Sequence, residues 1–244
     1  MRAMIFAAGL GTRLRPLTDH RPKALVEVGG ISLLEINIRR LIKLGVTDLI
    51  INVHHFADQI EAFIAEKKAF GINIAFSDER EKLLDTGGGL KKAAWFFEKY
   101  KEPFLVCNAD VLSNIDLQSL INYHVNQKVI ATYAVQRRET SRYMLHDANM
   151  QLYGWANIKL GDIKISRQAR QQALKMYAFS TYQVLNPKIF KLMPDEEVFS
   201  MIDLYLEVAR KQPVLGWLHE NDIWIDVGKP QAIEMAAGLL NQLI

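Results

Sequence analysis

The chain has 244 residues, half of them hydrophobic, with 30 basic against 27 acidic side chains and a formal charge of +3. That length suits one large domain with a substantial core, and so small and interspersed a charge excludes the one-sided basic face of a nucleic-acid binder. A single cysteine, Cys107, excludes an intramolecular disulfide, and no apolar run reaches the ~18 residues of a membrane span. A strand begins where the apolar segment of a signal peptide would sit, so a cytoplasmic protein is expected.

Met4 to Ala8 is a short apolar run that reads as a buried strand. Gly9 and Gly11 follow at once, so the backbone can turn sharply and bring its N–H groups close to a ligand. Arg13, Arg15, Arg21 and Lys23 then place four cations close together. These residues describe either a phosphate cradle or a glycine turn with solvated basic residues. The dinucleotide fingerprint is excluded because Leu14 stands where its third glycine belongs, and no Walker A loop is present. The run Gly9-x-Gly11-Thr12-Arg13-x-x-Pro16-Leu17-Thr18, closed by Pro22-Lys23, resembles the signature of the sugar-1-phosphate nucleotidyltransferases. It is most similar to the short N-acetylmuramate-1-phosphate uridylyltransferases and the mannose-1-phosphate guanylyltransferases. The resemblance implies that Gly9, Leu10, Gly11, Thr12 and Arg13 bind nucleotide, and that Arg13 and Lys23 serve catalysis beside the phosphates.

Further along, the spacing predicts a helix from about Leu33 to Leu44, a strand from Asp48 to His54, a helix from Phe56 to Ala69 and a strand from Ile72 to Phe76. This alternation is the rhythm of a parallel sheet with crossover helices. Asp85 to Leu90 contains Gly87, Gly88 and Gly89 ahead of a predicted helix, Lys91 to Tyr100. Such a run lets backbone approach a base and ribose, or is a flexible lead-in to the helix. The resemblance assigns Gly87 and Gly88 to the nucleotide. Phe104 to Cys107 reads as a strand, with Asp110 just beyond its carboxyl end, where ligands of open α/β sheets bind. The resemblance gives Asp110 to Mg²⁺. A helix (Asp116 to Val125) and a strand (Val129 to Val135) complete the first half.

From Ser141 the rhythm changes. Tyr143 to His146 and Gln151 to Asn157 flank the turn-rich Asp147 to Asn149 and read as an antiparallel hairpin. Met176 to Leu185 is a further strand, Asn186-Pro187 opens a short helix, and Ser200 to Arg210 is a longer one. Val214 to His219 and Asp222 to Ile225 read as a closing hairpin, and Lys229-Pro230 opens the terminal helix. Thr181 stands where many relatives have glycine. In Trp224 to Gly228, Asp226 stands at an apolar strand end and needs either a cation or strong donors such as backbone N–H groups; the resemblance makes it the second metal carboxylate. His54 and His55 point to opposite faces of a strand and make poor partners for one ion. Glu139 and Asn157 are candidate sugar-phosphate residues by position, as are Arg142 and Trp155.

Together these features imply an α/β, Rossmann-like three-layer sandwich with a central mixed, mostly parallel sheet, similar to the glycosyltransferase-A fold. One domain, 1–244, is expected, with nucleotide held by about 1–135 and sugar phosphate by about 136–244. The implied reaction joins an NTP and a sugar-1-phosphate with Mg²⁺, giving NDP-sugar and pyrophosphate, in a monomer or small homo-oligomer without nucleic-acid or membrane partners. A phosphocholine-type cytidylyltransferase and a non-catalytic nucleotide-sensing relative are the alternatives.

Overall fold

The computed structural model describes residues 1–167 and 173–243. It is an α/β fold built on a mixed sheet of ten strands with flanking helices, and two small two-stranded pairings stand outside that sheet. The chain divides into two compact units that interleave along the sequence. No helix among the described residues is long and apolar enough to cross a membrane.

The first unit comprises Met1–Leu83, Val106–Ile115 and the residues from Asp222 onward. Its strands lie in the order Phe104–Asn108 (from Val106 on), Arg2–Phe6, Asp48–Val53, Asn73–Asp78. The last three pair in parallel. Ala3, Met4, Ile5, Leu49, Ile50 and Ile51 are wholly buried, the continuous apolar pattern of a parallel sheet covered on both faces. Cys107 is buried here too, and burial pushes its thiol up to about 12, so it acts as a small apolar side chain, as expected. Helix Leu33–Lys43 begins at Ser32, whose hydroxyl accepts the Glu35 N–H at 3.2 Å, and ends before Gly45 at φ 87°. The helix expected to reach Ala69 stops at Glu66. Lys68, Ala69 and Phe70 take φ of 49°, 48° and 52°, a left-handed run in which the helical ladder cannot continue.

The second unit comprises Leu84–Leu105 and Asp116–Asn221. Strands Asp162–Ile165, Leu152–Asn157, Arg142–His146 and Lys175–Leu185 lie side by side and antiparallel. Ala131–Gln136 adds antiparallel to Lys175–Leu185, and Val214–Leu218 adds parallel to it. The expected hairpin is present, its turn closed by Asp147 Oδ1 accepting the N–H groups of Asn149 and Gln151 at 2.9 Å. Strand Asp162–Ile165 escaped the sequence reading because it is only four residues long: Asp-Ile-Lys-Ile alternates, but too briefly to stand out, and all four residues are exposed. In the core, Tyr133 and His146 join hydroxyl to Nε2 at 2.9 Å, and burial lowers His146 to about 3, so it stays neutral.

Three further expectations are corrected. The sheet, expected to be mostly parallel, is mostly antiparallel with a parallel core, because the strands after residue 130 pair chiefly antiparallel. The closing hairpin does not form: Val214–Leu218 pairs with Ala131–Gln136, whereas Trp224–Asp226 pairs with Val111–Ser113. The chain is directed to the latter partner at Ile223, whose N–H donates to Asn114 Oδ1 at 2.8 Å. The glycine run does not precede a helix but lies within one, Asp85–Lys92. A Cβ on Gly87 would stand 2.4 Å from the Phe199 ring, and one on Gly88 2.0 Å from the Glu197 carbonyl oxygen. The glycines therefore serve close packing against residues 197–199.

Thr181 sits where the register between Lys175–Leu185 and Ala131–Gln136 shifts, at φ 66°. A β-branched residue in the left-handed region is strained by roughly 1–2 kcal/mol, and its buried hydroxyl meets no partner. Glycine relieves both but loses more chain entropy on folding, roughly 0.5–1 kcal/mol. Thr181→Gly is therefore expected to raise Tm by about 1–4 °C in calorimetry. An unchanged or lowered Tm would show that the bulge accommodates threonine without cost.

Candidate functional site

The loop after strand Arg2–Phe6 is anchored at both ends. At its start, Ala7 N–H donates to Asn52 Oδ1 at 2.7 Å, and Asn52 Nδ2 donates to the buried Glu79 at 2.8 Å. At its far side, Leu14 is wholly buried in an apolar cluster with Val26, Leu33, Leu112, Ile225 and Val227. Between these anchors Gly11 takes φ 66°, and its carbonyl accepts the Leu14 N–H at 2.9 Å and the Thr18 hydroxyl at 2.8 Å. A Cβ there would stand 2.9 Å from Thr18 Cγ2 and 3.0 Å from Lys23 Cβ, so both backbone angle and space demand glycine. Gly9 faces open space instead. Among the described residues, the amides of Leu10, Gly11, Thr12 and Arg13 donate to no protein acceptor.

The two aspartates come together through backbone pairing. Trp224–Asp226 runs antiparallel to Val111–Ser113, with Asp226 opposite Val111, and Val227 N–H donates to the Asp110 carbonyl at 2.8 Å. Ile225 and Val227 turn into the apolar cluster, so Asp226 faces the other side, as strand alternation requires. The Asp110 segment is held from beneath by Asn37, which donates to the Ala109 carbonyl at 3.1 Å. Asn37, Asn52 and Thr18 were not singled out from the sequence. The signal that could have found the two asparagines is a polar residue amid an apolar run.

Gly9, Leu10, Gly11, Thr12, Arg13, Leu14, Lys23, Leu83, Asp110 and Gly228 line one cavity of about 320 Å³ in the first unit. Lys23, nearly buried, ion-pairs with Asp110 Oδ2, and its Nζ lies 4.0 Å from Asp226 Oδ1. Arg13 Nη2 stands 3.7 Å from Asp226 Oδ2. A Cβ on Gly228 would lie 2.6 Å from that Nη2 and 2.7 Å from Asp226 Oδ1, so any side chain there displaces the pair.

The residues fit a hard divalent cation. Asp226 Oδ1 is buried and accepts no hydrogen bond, the kind of oxygen a cation would satisfy. Among the described residues no group of three or more metal-binding side chains exists. Two carboxylates completed by water and phosphate oxygens are the usual Mg²⁺ arrangement.

The other expected residues lie elsewhere. Gly87 and Gly88 belong to the second unit, and both amides are already given to the Phe199 carbonyl, at 2.9 and 3.1 Å. Glu139 is exposed. Asn157 is buried and accepts the Lys159 N–H at 3.2 Å, and Arg142 is its register partner. The Lys164 ammonium lies 5.7 Å from the Trp155 ring. His54 Nδ1 lies 2.6 Å from the Glu79 carbonyl oxygen.

A nucleotidyl transferase family model matches residues 2–158. The chain is 34% identical to an N-acetylmuramate alpha-1-phosphate uridylyltransferase of Caulobacter vibrioides, over 94% of this chain and 93% of that one. It is 39% identical to a mannose-1-phosphate guanyltransferase of Gibberella zeae over 59% of its length, matching only 40% of that longer protein. Among solved structures, a UDP-glucose pyrophosphorylase from Acinetobacter baumanii superposes with a TM-score of 0.77 at 18% identity, covering 98% of this chain and 93% of that one, a likeness of fold.

Proposed function

Because the chain belongs to the nucleotidyl transferase family, we propose that it joins a nucleoside triphosphate to a sugar-1-phosphate, giving an NDP-sugar and pyrophosphate. The observation that carries this reading is the convergence on one cavity of a loop with unclaimed amides, two cations and two carboxylates, one of which has an unpaired buried oxygen. Free amides, Arg13 and Lys23 suit a polyphosphate, and the paired acids suit the cation that accompanies one.

In this reading the amides from Leu10 to Arg13 hold the triphosphate. A phosphate oxygen of the sugar phosphate attacks the α-phosphorus in line, and pyrophosphate leaves. Lys23 lies by the α-phosphate or the incoming phosphate, and Arg13 balances the charge gathering on the leaving group. Asp110 and Asp226 would hold Mg²⁺, which supplies neutralisation of phosphate charge when bound. Because the chemistry is alignment plus charge stabilisation, no side-chain nucleophile is needed. Residues of about 136–244, Glu139 and Asn157 among them, are proposed for the sugar phosphate, and about 1–135 for the nucleotide. The enzyme is proposed to act in the cytoplasm.

UTP with N-acetylmuramate 1-phosphate is the first substrate pair to test, since the relative carrying those names aligns along nearly the whole chain; GTP with mannose 1-phosphate is the second. A pyrophosphate-release assay over the four common NTPs and a panel of sugar-1-phosphates and phosphocholine tests the reading. Release only when both substrates are present is the expected result. Release with phosphocholine alone as acceptor, or none with any pair, would overturn the sugar assignment.

A further inference from the structure

The four charges of this site form a closed set: two cations on two carboxylates, with Lys23 touching one acid and within 4.0 Å of the other. Lys23 is only 8% exposed. Its backbone is fixed in a short turn, with Leu25 N–H donating to the Pro22 carbonyl at 2.9 Å and Val26 N–H to that of Lys23 at 3.0 Å. Its stem packs beneath Gly11. The root of the side chain is thus held at the cavity, and its flexible end can carry the ammonium from one partner to another.

We infer that Lys23 keeps the metal site closed until nucleotide arrives: its ammonium is the resident counterion of Asp110, and a divalent cation gains that carboxylate only when a triphosphate draws the ammonium away. The inference rests on the nucleotidyl-transfer reading. With Lys23 in place, an incoming cation meets one positive charge at contact distance and a second on Arg13, a repulsion the partly buried setting screens poorly. Displacing Lys23 without replacement would strand a buried ammonium, which is costly. A triphosphate removes both obstacles, because its oxygens give Lys23 a new anionic partner and supply the ligands that two aspartates alone cannot. Nucleotide and metal must then strengthen each other's binding equally, since coupling is reciprocal. Asp226 Oδ1, buried without a hydrogen bond and 4.0 Å from the same ammonium, is the oxygen the cation would gain alongside Asp110.

The test is Mn²⁺ binding to the full chain, read by electron paramagnetic resonance, with no sugar phosphate and no turnover. Without nucleotide, Lys23→Met is expected to bind Mn²⁺ at least about tenfold more tightly than the parent, the effect of removing one unit charge at close range. Lys23→Gln keeps a neutral donor for Asp110 and serves should the methionine variant fail to fold. With a non-hydrolysable NTP present, parent and variants should differ far less. Equal Mn²⁺ affinity of the parent and both variants without nucleotide would overturn the closed-site inference while leaving the metal assignment intact. Absence of Mn²⁺ binding in every protein, with or without nucleotide, would overturn the metal assignment and the inference with it.

Discussion

Asp226→Asn is expected to fold like its parent and to lose about 10³-fold or more of its turnover. The activity loss follows from withdrawing a carboxylate from a cation expected to supply several kcal/mol of charge stabilisation, at 1.36 kcal/mol per tenfold. The preserved fold follows from the contacts. Asp226 Oδ1 accepts no hydrogen bond, and its pairs to Arg13 and Lys23 stand at 3.7 and 4.0 Å, too long to contribute much. Asp110→Asn should match that loss of activity but differ in stability. It replaces the carboxylate in contact with a nearly buried lysine by a neutral amide, weakening a charged hydrogen bond that is worth about 1.5–3 kcal/mol. Steady-state rates and thermal unfolding, measured together on both variants, separate the two effects. Full turnover by either variant, or by the parent in excess chelator, would remove the metal from the reading; equal Tm for both would contradict the charge arrangement described.

Arg13→Ala should lower kcat by roughly 10²–10³-fold, the scale of a single electrostatic group acting in the transition state. The guanidinium is 59% exposed and makes one long ion pair, so its removal should leave stability within a few tenths of a kcal/mol. Its position against Asp226 and over Gly228 puts it at the mouth of the loop, where charge on a departing pyrophosphate would gather. An interaction made only in the transition state depresses kcat and kcat/KM together, whereas uniform binding raises KM alone. Initial-rate measurements over a range of NTP concentration decide between them, and a change confined to KM would reject the transition-state role.

The first strand and its glycine turn were legible in the sequence because both are local patterns, whereas Asp110 and Asp226 were assigned to a metal through the family resemblance. The partner of Trp224–Asp226 was not legible. A three-residue strand carries too little pattern to specify its register, and Val111–Ser113 lies far away in sequence. The close packing of Gly87 on the Phe199 ring and of Gly88 on the Glu197 carbonyl could not be read from the sequence, because composition does not show which chain segment a glycine admits. Asp162–Ile165 was missed because four alternating residues, all of them exposed, are too short a pattern to mark a strand. Thr181 could be flagged as a departure from the glycine of many relatives, but only its φ of 66° shows what that departure costs.

The interleaving of the two units bears on how the protein is made. A ribosome releases the chain from its N-terminus, so residues 84–105 and 116–221 emerge before Asp222 and all that follows. Until then the apolar cluster around Leu14 and Leu112 lacks Ile225, Val227 and Ala236, and Val111–Ser113 lacks its pairing strand. Throughout that interval Asp110 already has Lys23 to neutralise it, while Asp226 does not yet exist. The nascent chain thus carries a half-built charge centre whose ammonium–carboxylate pair is complete in itself. In the proposed reading, competence to bind nucleotide with metal can arise only after Asp222 and the residues that follow it have been made and have docked.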